Sequence, residues 1–207
     1  MPAFDFKKAE KHLYQPKAAP VFVDVPEMTF ITIEGEGDPN TSETYASAIE
    51  VLYGLSYSIK MRNKPVLNYV VLPLEGLWSF IGDTDIGTVP LNKDSLAWTA
   101  LIRQPDFVTT AIFSQAVDEL AKKKPGLDAS KAHLTTFTEG QCVHIMHIGS
   151  YDDEPASISL LYDYAHDNGY KIQVDGASRH HEIYLNDPRK VDASKLKTVI
   201  RYPVIKA

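Results

Sequence analysis

Two stretches far apart in the chain share one layout, and that repeat constrains the fold more than any other feature. In APVFVDVPEMTFITIEGEGDPN (residues 19–40) apolar residues alternate, a Pro-Glu pair interrupts them, alternation resumes, and a glycine-rich loop precedes a helical segment. HLTTFTEGQCVHIMHIGSYDDEP (133–155) repeats the order, with Glu139-Gly140 at the interruption and GSYDDEP in place of GEGDPN. Both copies therefore read as hairpin, loop and helix.

The first helix, SETYASAIEVLYGLSYSIKM, aligns Tyr45, Ile49, Leu52, Ser56 and Ile59 as a buried stripe, with Tyr53 and Tyr57 on its flank. The second starts near Pro155, stops at Asn168-Gly169 and turns Ile158, Leu161 and Ala165 inward. Two extended segments follow each helix: NYVVLPLEGLW and LAWTALIRQP in the first half, RHHEIYL and KTVIRYPV in the second, where LIRQP and VIRYP match closely. The residues thus give two copies of strand-strand-helix-strand-strand, about 19–104 and 130–205, within one 1–207 domain. A helix over about 105–124 joins them, with Phe113, Ala116, Val117 and Leu120 on one face. This is an α+β class with antiparallel strands; helices cover one sheet face, and the other faces are expected to meet around a groove on a pseudo-twofold axis. A groove between modules is a preferred site for small ligands.

Composition narrows the partners. Among 207 residues, 27 acidic side chains outnumber 21 basic ones and the longest basic run is Lys122–Lys124, which argues against a nucleic-acid or anionic-membrane footprint. The single cysteine, Cys142, forms no internal disulfide and no thiolate zinc site. Without a secretory or membrane-spanning apolar run, a cytoplasmic location is the simplest expectation.

Strand alternation places Glu182. In RHHEIYLNDP, Ile183 and Leu185 point one way, expected to be under the helices, while His180, Glu182 and Tyr184 point the other, into the groove. A strand glutamate also commonly sits on a solvated sheet face. By rough alignment of the repeats Glu75 is the counterpart of Glu182, with Trp78 three residues on. Trp78, Trp98, Tyr53, Tyr57, Tyr151, Tyr184 and Tyr202 are the aromatic candidates for contact with flat or cationic molecules. His144 and His147, and likewise His180 and His181, face opposite sides of their strands and make poor metal pairs, so no metal or other cofactor is expected. Nucleophile elbow, P-loop and dinucleotide fingerprint are missing.

HIGSYDDEP followed by a helix closing in NGY, together with HHEIYLNDPR, IEGEGDPN, LYGLSYSIK and LEGLW, resembles the GyrI-like small-molecule-binding proteins from about Phe22 to Pro203. The resemblance implies duplicated strand-helix-strand-strand modules with a ligand groove between them. It also implies a groove glutamate that meets ligands, as in related multidrug-binding domains. About twenty residues precede the first strand, too few for the DNA-binding module of the family's regulators, so direct DNA binding is not expected. Stand-alone members include hydrolases that open the cyclopropane of spirocyclopropyl-cyclohexadienone toxins. By that resemblance Glu182 is the general base; Tyr184, on the same strand face, is the first choice of proton donor, with Tyr151 and Tyr202 as substitutes. The alternative is a binder without chemistry that sequesters hydrophobic or cationic compounds, or a protein contacting DNA gyrase as the family's namesake does.

Overall fold

The computed structural model describes residues 2–80, 93–173 and 180–207, without the side chain of Phe80. Two four-residue helices, α1 (Phe6–Ala9) and α2 (Lys11–Tyr14), precede β1 (Val21–Glu36), α3 (Glu43–Arg62), β2 (Glu75–Phe80) and β3 (Leu96–Gln104). Helix α4 (Thr110–Lys123) leads to β4 (His133–Ile148), α5 (Glu154–Asp167), a short β5 (Tyr170–Ile172), β6 (His180–Tyr184) and β7 (Lys197–Lys206).

The two expected hairpins are instead single strands of 16 residues, β1 and β4. They pair antiparallel with each other, and the interruptions read from the sequence fall together: Val25 lies opposite Gly140, so Pro26 and Glu139 come next to each other. Proline removes one ladder donor and Gly140 takes φ +68°, a left-handed conformation that favours glycine. A bend at a shared point satisfies both signals without a turn. Each half is therefore strand-helix-strand-strand.

The pairings between these strands are antiparallel, in the order β4-β1-β3-β2-β6-β7, and a β4–β7 ladder closes the sheet into a six-stranded barrel, with β5 added to β7. The order maps onto itself when the halves are exchanged, since β1–β3 and β3–β2 correspond to β4–β7 and β7–β6. Closure removes sheet edges.

Both helices cover one face of this sheet. Tyr45 of α3 packs edge-on against Trp98, and Ser56 accepts from Gln104 Nε2 at 3.0 Å. Tyr162 of α5 packs against Tyr202. In register, Trp98 faces Trp78, Trp78 faces His180 and Glu182 faces Ile200, so all these side chains share the helix-covered face. Helix α4 closes on α3, where a methyl on Gly54 would meet Leu120 Cδ1 at 2.8 Å. Ala116 and Leu120 are buried there.

The opposite face holds a buried polar cluster. His181 bonds Glu75 Oε2 and Glu139 Oε1, each at 2.9 Å, and Arg201 donates to Glu139 Oε2 at 2.8 Å and to the Leu13 carbonyl at 2.9 Å. Nearby, Arg103 bonds Glu10 and the Tyr14 hydroxyl, fastening α1 and α2 to the barrel. Burial opposes ionisation of Glu139, but the charges of His181 and Arg201 outweigh it and hold the carboxyl at about 2. Burial likewise opposes protonation of His181, and Glu139 and Glu75 raise it to about 9. Two carboxylates meet two cations, and the cluster is neutral.

Candidate functional site

A groove of about 1510 Å³ lies between α3 and α5, on the helix-covered face and not where the bare sheet faces were expected to meet. Tyr45, Ile49, Tyr53 and Tyr57 form one wall, and Glu154, Ile158 and Tyr162 the other. Trp78, His180, Glu182 and Tyr184 form the floor, and Tyr151 stands at the mouth.

The floor is built by alternation in β6 and by one glycine. Gly76 is the register partner of Glu182. A methyl there would come within 2.5 Å of Trp78 Nε1 and 3.0 Å of the Tyr184 hydroxyl, so its bare backbone leaves room for Trp78 Nε1 to donate to Tyr184 at 2.9 Å. Glu182 Oε1 meets His180 Nε2 at 2.8 Å, and the other ring nitrogen of His180 lies 2.6 Å from the Tyr202 hydroxyl. The Glu154 carboxyl is close enough to hydrogen-bond Glu182.

Electrostatics follow from this crowding. Burial first, and then the charge of Glu182, push the Glu154 carboxyl well above the usual carboxylate range, so Glu154 holds a proton that Glu182 accepts. The same two causes raise Tyr184 and bring Tyr151 to about 12. Burial raises Tyr45 and Tyr53 as well, and every groove phenol with a displaced pKa is a neutral hydroxyl at physiological pH.

Several sequence expectations are corrected. Glu75 does not line the groove; it is 2% exposed on the opposite face beside His181. Its register partner is Ile183, so aligning it with Glu182 was one residue out, and a one-residue slip in a strand reverses the face. Ile183 accordingly lies with Glu75, not beneath the helices. Trp98 is 2% exposed, packed against Gly35 and behind Tyr45, and belongs to the core. Tyr202 is fully buried, behind His180 and Tyr162, and does not line the groove. Glu182, Tyr184, Trp78, Tyr53, Tyr57 and Tyr151 do come together in the groove. Arg179 of the same motif lies outside the described residues.

Sequence reasoning turned His180 into the groove by alternation but gave it no role, and it missed Glu154, Tyr45 and Tyr162 as site residues. Glu154 was not legible, because Asp152-Asp153-Glu154 before Pro155 reads as an acidic helix start, and only the docking of α5 against β4, β5 and β7 sets it beside Glu182.

Among the described residues no helix is long and apolar enough to cross a membrane. No curated protein matches the chain. A crystal structure of an uncharacterized conserved protein from Listeria innocua is 39% identical, with TM-score 0.91 over 98% of this chain and 100% of that one. Another, described as a hydrolase from Listeria innocua, is 37% identical with TM-score 0.88 and the same coverage. The EcmrR C-terminal domain, at 14% identity and TM-score 0.56 over 91% of this chain and 98% of that one, shares the fold. Residues 18–205 match the family described as GyrI-like small molecule binding domain, and the chain belongs to that family.

Proposed function

We propose that the groove binds flat, apolar small molecules and hydrolyses spirocyclopropyl-cyclohexadienone toxins by adding water, conferring resistance to them. The observation that carries this reading is Glu182, a carboxylate held by His180 on the floor of an aromatic cleft. A structure described as a hydrolase at 37% identity supports the same class of activity.

Glu182 takes a proton from water as the water oxygen bonds the cyclopropane methylene. The bond from methylene to spiro carbon breaks, its electron pair flows into the dienone, and the ring oxygen becomes a phenolate that takes up a proton. A carboxylate has about four lone-pair sites. His180, Glu154 and Tyr184 engage three of them, which leaves one for the water. Tyr184 is a poor donor to substrate, because its hydroxyl is fixed by Trp78 and lies against Glu182. Tyr202 is walled off. Tyr151, at the mouth with a neutral hydroxyl, takes the donor role, and Tyr184 positions Glu182.

Turnover of a cyclopropanoid by the parent protein and by Glu182→Gln tests the reading. The variant keeps the side-chain shape but lacks the basic lone pair, so binding stays within a few-fold while the rate falls ~10² to 10⁴-fold. Equal turnover removes Glu182 from the chemistry. A parent that binds without turnover is a non-catalytic binder.

A further inference from the structure

Two carboxyl groups meet on the groove floor, yet among the described residues Glu182 has only His180 in salt-bridge contact and Glu154 has none. We propose that Glu154, His180 and Glu182 form a binding site for a divalent transition-metal cation, best matched to Zn²⁺.

One ligand-capable atom from each residue lies within 4.8 Å of the other two. Imidazole nitrogen and carboxylate oxygen are donors that zinc takes at ~2.0 to 2.2 Å, and ligand atoms around a tetrahedral ion of that radius sit about 3.4 Å apart. The His180–Glu182 contact of 2.8 Å therefore has to open by well under an ångström to admit the ion. Three protein ligands leave a coordination position facing the groove, through which the ion enters and water completes the shell.

An independent feature points to the same place. Glu154 is 6% exposed, and its Oε1 is buried without a hydrogen-bond partner. A buried carboxyl oxygen of this kind calls for a donor or a cation. The second ring nitrogen of His180 also fits. Nε2–H donates to Glu182 at 2.8 Å; with zinc in place of that proton, Nδ1–H donates to the Tyr202 hydroxyl 2.6 Å away, and a buried partner of this kind fixes the ring of a metal-bound histidine. Binding the ion displaces the proton shared between Glu154 and Glu182, and the two carboxylates then match the charge of a dication. Other candidate ligands are occupied or sealed: both ring nitrogens of His147 and of His181 are engaged, and Cys142 is a buried thiol.

The proposal rests on this geometry and not on the hydrolytic reading, so its test needs no substrate. Calorimetric titration of the metal-stripped full chain with Zn²⁺ should give one site per chain with a micromolar or tighter dissociation constant, and Co²⁺ should give visible d–d absorption that Zn²⁺ abolishes. His180→Ala should weaken Zn²⁺ at least ~30-fold, and Tyr202→Phe, which removes only the hydroxyl behind the ring, about 10-fold. His166→Ala, an exposed histidine, should change nothing. Should His180→Ala fail to fold, the ring-nitrogen resonances of His180 in the parent supply the readout, because zinc moves Nε2 and leaves Nδ1 protonated. Absence of a stoichiometric site, unchanged binding in His180→Ala, or resonances of another histidine shifting in place of His180 would each overturn the proposal.

Discussion

His180 and His181 are neighbours in sequence and each meets a pair of carboxyl groups, but the two pairs are balanced differently. On the interior face, His181 and Arg201 supply two positive charges to Glu75 and Glu139. On the groove face His180 is the one basic partner of Glu182 among the described residues, and Glu154 meets its burial by keeping a proton. The interior cluster balances its charges from within the protein, although Glu75 Oε1 and Arg201 Nε there lack hydrogen-bond partners among the described residues. The groove cluster draws its missing positive charge from solution, as a proton or a cation, and this marks it as the place where the molecule exchanges with its surroundings. A salt-bridged cluster of the first kind is usually structural; a carboxyl pair held apart in protonation is the pattern of a site.

The largest break in this comparison comes from removing a cation inside. Arg201→Met leaves Glu139 with His181 alone, and breaking a buried pair by deleting one partner costs about 3 to 5 kcal/mol. Urea unfolding should register that loss. A cost below about 1 kcal/mol would mean that the interior carboxylates do not need their partners and that the two clusters are alike.

Acid unfolding sharpens the same point. The Glu139 carboxyl lies at about 2 in the folded chain against an ordinary 4.5, so its ionised form favours folding. That contribution is fully present above about 4.5 and is lost as the pH falls through about 2. The shift corresponds to roughly 3 kcal/mol. The groups facing Glu139 are His181, Arg201 and, across His181, Glu75. Glu139→Gln should therefore be less stable than the parent at pH 6 and approach it near pH 2. Parallel stability curves over that range would refute the assignment.

A smaller effect tests how the groove floor is made. Gly76→Ala places a methyl 2.5 Å from Trp78 Nε1 and 3.0 Å from the Tyr184 hydroxyl. Crowding of this size costs about 1 to 3 kcal/mol. The Trp78–Tyr184 bond should part, with a shift in tryptophan emission, while the interior cluster stays intact. Unchanged emission and stability would mean that the floor has slack.

How much of this was legible beforehand depends on distance along the chain. The repeat placed α3 and α5 and the strands β2, β3, β6 and β7, though not α1, α2 or β5, because α3 and α5 each carry their own caps and stripe: Ser42 caps α3 and Gly169 closes α5 with φ +76°. Alternation placed Glu182 and Tyr184 on one face because it needs only neighbours. What failed needed register. Pairing Gly76 with Glu182 is a contact between residues 106 positions apart, and Glu75 was misplaced by the single step that alternation cannot forgive. Pro26-Glu27 was read as a turn because a broken ladder and a reversed chain leave the same local signal. Trp98 and Tyr202 failed in another way: a tryptophan or tyrosine has the same composition signal whether it lines a groove or supports one, and the packing of Tyr45 and His180 over them decides which.

The smallest predicted effect is the most direct contrast with Glu139. Glu154→Gln, measured with a chelator present, should leave stability within about 1 kcal/mol of the parent at pH 7. Gln has the shape of a protonated glutamic acid, and its amide hydrogen takes over the bond to Glu182, so a buried group that was already neutral is replaced by another. The same substitution at Glu139 removes a charge on which His181 and Arg201 depend. If Glu154 were instead ionised against Glu182, the variant would relieve like-charge repulsion and come out clearly more stable than the parent. If its negative charge held a cation that the chelator does not remove, the variant would lose more than about 2 kcal/mol, as a buried site stripped of a partner does. Near-equality of Glu154→Gln with the parent, beside a marked loss in Glu139→Gln under the same conditions, is the expected result and separates the two faces of β6 in one experiment.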